Sequence, residues 1–385
     1  MKEKLKQYVK KSKLYEYFAE DIYKYLYHKK YSVFGYKSDK KALLSYRIIP
    51  FISDKNVDHS NTDEAKAIAR VLVDIGYEVD VFGVQYDKDI DYSKYDIIVG
   101  QGYPIENSFY KNYTGYRVYL ATGESSKYRN YAEMDRLRAI ENRRGRLLKP
   151  RRIKKFPDFA SSTLSDGILC TGNGTADTYR DHFDGPIYQI PVTVPNKVPP
   201  VNNEKKVDKC TPNFMWLGSS GLAHKGLDLC VEAFHKIENK KLHICGPFEG
   251  DFFDEYKGEI NKNENIEYHG WVDISSKKYE NIVDECMFSL FPSCSEGESG
   301  SVLTTMKSGL IPIVTPETGI NFSEFGFGIS EPTVSDVLQA VNECSQLSPQ
   351  KIKELSSKCS KYVSSKHIIG KYENKARKAI LDIIE

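Results

Sequence analysis

From residue 41 onward, short apolar runs alternate with stretches whose apolar positions recur every three or four residues. The runs predict strands at Ala42–Pro50, Glu78–Val84, Asp96–Val99, Arg117–Ala121, Gly167–Thr171 and Ile187–Ile190. Between the first two, Ala65, Ile68, Ala69, Leu72 and Ile75 form a helical stripe that Gly76 stops. Asn61 stands where it can cap that helix, and Glu64, three residues on, closes a capping box. Strand, loop, helix and strand in this order make a βαβ unit.

The stretch from Pro191 to Pro212 is Pro-rich, shows little periodicity and reads as a linker. A second α/β series follows. Its strands are Asn213–Leu217, Lys241–Cys245, Ile266–Trp271, Met287–Phe291 and Ile311–Val314. Its helices are Leu227–Ile237, one around Tyr279–Asp284, Val302–Lys307, and a closing set from Val334 to Ile384. Ahead of both series, Leu5, Val9, Leu14, Phe18, Ile22 and Leu26 mark a helix that docks on its own domain, lies on a membrane surface or packs against a partner. The expected organisation is a helical extension over 1–40, an α/β domain over 41–195, a linker over 196–212 and a second α/β domain over 213–370. The expected fold class is α/β, with two Rossmann-like parallel-sheet domains facing across a cleft.

Composition narrows the function. Of 385 residues, 40% are apolar and 28% charged, enough for real cores and too polar for a fibrous or membrane-spanning chain. A net charge of +2 argues against a nucleic-acid-coating role. No apolar run approaches the ~20 residues that span a bilayer, and the Lys-rich N-terminus lacks a secretory pattern. The eight cysteines have no metal-cluster spacing, and several, such as the last residue of Leu242-His-Ile-Cys245, sit in apolar runs. A reduced, cytoplasmic protein is expected, working at the inner face of the cell membrane if it is membrane-associated.

Two loops carry chemistry. Leu217-Gly-Ser-Ser-Gly-Leu-Ala-His-Lys-Gly226 follows a strand and opens a helix, with small residues that admit a ligand and Lys225 as a point charge for phosphate. It lacks the Gly-Lys-Ser/Thr of a P-loop and the spacing of a dinucleotide fingerprint. Phe291-Pro-Ser-Cys-Ser-Glu-Gly-Glu-Ser-Gly-Ser-Val-Leu303 repeats the arrangement at another strand's carboxyl end, where open α/β sheets bind ligands. There Glu296 and Glu298 are carboxylates suited to sugar hydroxyls, and the N–H groups of Ser299 to Val302 suit phosphate or ring oxygens. A surface loop with a solvated lysine and a solvated acidic turn are the plain alternatives.

In the order Gly218, Lys225-Gly226, Phe291-Pro-Ser293, Glu296-Gly297 and Gly309-Leu-Ile-Pro312, residues 213–320 resemble the donor domain of family 4-like (group 1) retaining glycosyltransferases of the GT-B fold. The resemblance implies an enzyme that moves a sugar from a UDP-, GDP-, CMP- or ADP-linked donor to a glycan or lipid-linked acceptor, without a metal or other cofactor, in cell-surface polysaccharide or glycoconjugate synthesis. It gives Glu296 to the donor sugar's hydroxyls, with Gly297 beside it, and Ser299, Gly300, Ser301 and Val302 to sugar and diphosphate. Gly218, Ser219, Ser220 and Lys225 fall to the diphosphate, and Gly246, Pro247, Trp271 and Val272 to the nucleotide. Two departures stand out. Thr304 occupies the position, eight on from Glu296, of a second Glu that grips the ribose, and Ser219 or Ser220 replaces a basic phosphate ligand.

In the first domain, His59 and Asn61 are candidates for acceptor binding, and His59 also for catalysis. Thr122-Gly-Glu-Ser125 falls where the family often has a His, so Thr122 is a candidate acceptor contact and Glu124 a candidate for the orienting role. Residues 136–155 are densely basic and read as a solvated face, a contact to anionic lipid through 143–155, or a grip on a phosphate-linked acceptor. Nucleic acid is not an expected partner. The final run, 371–385, resembles a helix that packs back on the first domain. The alternative to a transferase is a non-catalytic sugar-nucleotide or glycan binder that partners an active one.

Overall fold

A computed structural model describes residues 29–52, 60–154, 158–202 and 212–385. The helix expected within residues 1–28, His59 and most of the second half of the linker lie outside the described residues. The chain forms two compact units. One draws on the chain up to Leu120, on Phe156–Leu169 and on Glu373–Glu385, and the other on Ala121–Lys155 and Cys170–Tyr372. The longer helices are α1 (Ser60–Asp74), α2 (Ser126–Arg144), α3 (Leu227–Phe234), α4 (Gly250–Lys262), α5 (Lys277–Glu285), α6 (Gly300–Lys307), α7 (Val334–Ser345), α8 (Pro349–Lys366) and α9 (Ile369–Ile384).

The first sheet contains β1 (Lys29–Lys30), β2 (Lys41–Tyr46), β3 (Glu78–Gly83), β4 (Ile97–Gly100), β5 (Tyr116–Ala121), β6 (Gly167–Thr171) and β7 (Ile187–Ile190) in the order β1-β3-β2-β4-β5-β6-β7. β2 runs parallel to β3 and β4, and β4 parallel to β5, while the two residues of β1 pair antiparallel with β3. Ala42 to Tyr46 are all buried, as a strand covered on both faces requires. Helix α1 starts at Ser60, one residue before the expected cap, so Asn61 occupies its first turn. Gly76, at φ +98°, ends the turn that follows. The end of α9 belongs to this first unit. Arg70 bonds Glu373 at 2.9 Å, Arg377 pairs with Asp74, and a Cβ on Gly167 would meet Ile383 at 2.4 Å.

The second sheet holds β8 (Asn213–Leu217), β9 (Leu242–Cys245), β10 (Ile266–Gly270), β11 (Cys286–Phe291), β12 (Ile311–Val314) and β13 (Phe327–Gly328), ordered β10-β9-β8-β11-β12-β13 with every neighbouring pair parallel. Renumbered within the sheet this is the doubly wound Rossmann order. The winding reverses between β8 and β11, so the loops that leave these two strands flank the switch point. The two strands are locked by Phe214 stacked on Phe288 at 5.2 Å and Trp216 on Phe291 at 5.8 Å. The described cysteines are free and buried in these interiors.

Helix α2 carries the first part of the basic run and gives several of its charges partners. Ser125 caps it, accepting from the Tyr128 N–H at 3.4 Å, and Gly145 ends it at φ +73°. Of its arginines, Arg136 is buried, Arg129 and Arg144 are half-buried, and Arg138 and Arg143 are exposed. Arg136 lies 3.7 Å from Asp228, Arg143 2.7 Å from the same carboxylate, and Arg144 bonds Glu255 and Glu259 at 2.9 and 2.7 Å. Arg151, beyond the helix, pairs with Asp251. These charges pair with carboxylates of α3 and α4, while Arg138, Arg146 and Lys149 remain exposed. The Asp228 side chain has no solvent exposure, and Arg136 has 3%. Removing one member of such a group strands the other. Asp228→Ala should therefore cost about 3–5 kcal/mol in urea unfolding, and a loss below about 1 kcal/mol would mean that the arginines do not depend on it.

Candidate functional site

The first loop is shaped by Trp216. Its indole N–H donates to the Lys225 carbonyl at 3.1 Å, and a Cβ on Gly218 or Gly246 would strike the ring at 2.3 or 2.8 Å. Gly226 sits at φ +71°, and a Cβ there would lie 2.1 Å from the Pro292 carbonyl of the other loop. The Lys-Gly pair thus has a steric origin, because glycine lets the two loops touch where the lysine turns inward. Lys225 is 3% exposed. Its Nζ lies 5.3 Å from the centre of the Phe291 ring and is ion-paired with Glu296 Oε1. The two residues come from loops separated by 71 positions, and the switch point brings them together.

The second loop is held on several sides. Glu296 N–H donates to Glu317 O at 2.9 Å, Ser293 Oγ to Glu296 Oε1 at 3.3 Å, and Cys294 N–H to His224 O at 3.0 Å. Gly297 is wedged: a Cβ on it would lie 2.6 Å from Thr171 Oγ1 and 2.9 Å from Gly123 Cα. Its carbonyl fills the space where Gly172 and Gly319, both at positive φ, would carry side chains. Glu298, read from the sequence as a candidate for sugar hydroxyls, instead accepts the Val192 N–H at 2.8 Å and lies 3.7 Å from His367. It is a structural tie.

Electrostatics converge on Glu296. Burial alone would raise its pKa, but Lys225, Arg152 and His224 outweigh burial and hold it down at about 2. Burial lowers the Lys225 pKa, helped by Arg152 and Arg129 and opposed by Glu296. Arg129 and Arg152 were not singled out from the sequence. Arg129 comes from α2, and Arg152 from the following stretch, where its stem packs against Gly221 of the first loop. The Nε of each is buried without a hydrogen-bond partner. Glu133, one turn after Arg129, fixes this stretch by accepting the Arg152 N–H at 2.9 and 2.8 Å and facing His224 Nδ1 at 3.0 Å. The available signal was the i, i+4 spacing of Arg129 and Glu133, hidden inside a helix with no apolar stripe.

The Ser299 N–H is donated to Thr318 O, so Gly300, Ser301 and Val302 are the N–H groups at the start of α6 that lack an intrahelical acceptor. Thr304 is 6% exposed and donates its hydroxyl to Gly300 O at 2.7 Å, so its proton is not offered to a ribose. Ser220 Oγ and the N–H groups of Gly221 and Leu222 are taken by the Glu249 carboxylate, at 2.9, 2.6 and 3.3 Å, while Ser219 is half-buried beside them. Gly246 and Pro247 follow β9. Trp271 follows β10 and is 65% exposed, and Val272 is buried. Thr122 is exposed, and Asn61 lies in α1 of the other unit. The Glu124 N–H donates to Glu296 O at 3.3 Å, which places Glu124 beside the second loop.

A family model described as glycosyl transferases group 1 matches residues 211–346. No curated protein matches the chain. Among solved structures, sucrose-phosphate synthase from Thermosynechococcus elongatus is similar with a TM-score of 0.64 at 14% identity, covering 90% of this chain and 99% of that one. HepE of Anabaena, solved with UDP and glucose, has a TM-score of 0.56 at 12% identity over 89% and 99%. WaaG, a glycosyltransferase involved in lipopolysaccharide biosynthesis, has a TM-score of 0.54 at 13% identity over 88% and 99%. The chain shares the two-domain Rossmann-like GT-B fold with these structures. Among the described residues, no helix is long and apolar enough to cross a membrane.

Burial, with the charges of Glu317 and Glu296, pushes the Glu124 carboxyl up to about 8 against the opposing Ser295 hydrogen bond and Arg129. The folded chain then keeps a proton that the unfolded chain loses near 4.5, so this residue's stabilising contribution is present below pH 4.5 and lost as pH rises through 8. Glu124→Gln should melt with the parent at the acidic end and several degrees above it at the alkaline end, as read by calorimetry across pH. Parallel melting profiles would show that Glu124 ionises normally.

Proposed function

We propose that the protein is a retaining glycosyltransferase that moves a sugar from a nucleotide-sugar donor to a glycan or lipid-linked acceptor. The observation that carries this reading is the meeting of Lys225 and Glu296 at the switch point of the second sheet, with Arg129 and Arg152 acting on the same carboxylate. The similarity to group 1 glycosyl transferases over residues 211–346 supports the same assignment. A nucleoside diphosphate competes with Glu296 for Lys225. Once released, the carboxylate accepts hydrogen bonds from the donor sugar. Lys225, Arg152, Arg129 and the N–H groups of Gly300 to Val302 then meet the phosphates. Their fixed positive potential stabilises the charge that develops on the departing diphosphate. Arg152 supplies the second cation for which Ser219 and Ser220 have no equivalent. Glu124, protonated at neutral pH, adds no negative charge beside the diphosphate.

Thr304 favours a second reading, a sugar-nucleotide binder without turnover, because its hydroxyl is spent on Gly300 O. A panel of UDP-, GDP-, CMP- and ADP-sugars separates the two. Transfer or slow hydrolysis of one donor supports the enzyme, while nucleotide binding with no turnover on any acceptor supports the binder.

Two substitutions probe the roles. Lys225→Ala and Arg152→Ala should each lower kcat/KM for the donor about tenfold or more, and unchanged values would remove these cations from the site. Glu296→Gln should behave differently, because it frees Lys225 while removing the sugar contact. Nucleoside diphosphate affinity should hold or tighten in titration calorimetry while kcat falls by about a hundredfold. A fully active variant would exclude the sugar contact.

A further inference from the structure

Strands β9 and β10 carry a group of ligating side chains on the outer part of the second sheet. The register pairs His243 with Glu267, and His269 follows two residues later, beside an irregularity in the pairing between Tyr268 and Gly270. Such irregularities re-aim side chains. His243 Nδ1 faces His269 Nε2 at 3.0 Å, and the ring planes differ by only 12°. Glu267 reaches both rings, with one oxygen 3.7 Å from His243 Nδ1 and the other 3.7 Å from His269 Nδ1. One ligand atom from each residue falls within 4.8 Å of the others.

We propose that His243, Glu267 and His269 bind a divalent transition metal, with Zn²⁺ the best-fitting ion. The donors are His243 Nδ1, His269 Nε2 and a Glu267 oxygen, leaving the fourth position to water. Tetrahedral zinc places neighbouring nitrogen ligands about 3.3 Å apart, and the observed 3.0 and 3.7 Å separations bracket that value. Two imidazoles and one carboxylate suit zinc, and copper(II) or nickel(II) by affinity, and exclude the oxygen-rich sites of calcium and magnesium.

The surrounding groups fit the assignment. His243 Nε2 is buried with no hydrogen-bond partner, and the nearest carboxylate, Glu285 at the end of α5, stands 3.9 Å away. With Nδ1 on a metal, the ring proton sits on Nε2 and faces that carboxylate, the usual way a ligating imidazole is oriented. The hydrogen now lying between the rings moves to His269 Nδ1, towards Glu267, so no proton need leave the pair. The ion would fasten β10 to β9 immediately before Gly270-Trp271-Val272.

The full-length chain, stripped of metal with a chelator and dialysed, is titrated with ZnCl₂ by calorimetry. A Co²⁺ titration reports geometry through its visible absorption. The expected result is one Zn²⁺ per chain, an intense tetrahedral Co²⁺ band, and a rise in melting temperature that EDTA reverses. His269→Ala and Glu267→Gln are the informative variants, since both side chains are less enclosed than His243, and each should weaken Zn²⁺ binding about tenfold or more. Failure of the stripped chain to take up zinc stoichiometrically overturns the proposal. So does stoichiometric binding that both variants retain.

Discussion

The site depends on two opposite charges buried at one point in the second sheet. Neither Lys225 nor Glu296 would be tolerated alone in that position, because desolvation of an unpaired ion costs several kcal/mol. They are brought together by backbone geometry. Gly226 lets the first loop rest on the Pro292 carbonyl, and Gly297 is gripped by Thr171 and Gly123. Arg129 and Arg152 add positive charge around the same carboxylate, and the protonated Glu124 adds no negative charge to offset it. A pocket built in this way has a standing preference for an anion in place of Glu296.

Much of the fold was legible in the sequence because parallel strands buried on both faces read as short unbroken apolar runs. Gly167–Thr171, Asn213–Leu217 and Ile311–Val314 occupy the expected residues, as does Ile187–Ile190, a sheet-edge strand that is only partly buried. Helix α1 already includes Asn61, which was expected to cap it, a boundary shift that capping patterns alone do not resolve. The long helix α2 escaped notice for a different reason. Its inward face sets the buried Glu133 and Arg136 beside Leu137 and Ile140, so charged residues interrupt its apolar period. A buried charged face and a solvated one look alike until the opposing carboxylates are placed.

The two loops were visible for a reason that has little to do with polarity. Each combines a strand end, small residues and a helix start, and the small residues are needed wherever backbones touch. Glycine at a close approach therefore marks a site even when the side chains that act there come from elsewhere. The partners were another matter. Whether Glu296 or Glu298 faces Lys225 is decided by one residue's turn of the chain, and Glu298 instead ties down Val192. The pairing of His243 with Glu267 depends on register between separate strands, which local spacing does not reveal.

Under the proposed transferase reading, a threonine at position 304 in place of a ribose-binding carboxylate shifts where binding energy would come from. A carboxylate on a ribose makes charge-assisted bonds, roughly twice as strong as neutral ones. Thr304 gives its proton to Gly300 O and retains only lone pairs. The nucleoside would then be held by stacking, backbone groups and the exposed Trp271, and the diphosphate by Lys225, Arg129 and Arg152. Affinity weighted towards phosphate is less selective among nucleosides and more sensitive to salt than affinity weighted towards ribose. Under that reading, discrimination between donors would fall to the sugar, through a Glu296 carboxylate freed from Lys225.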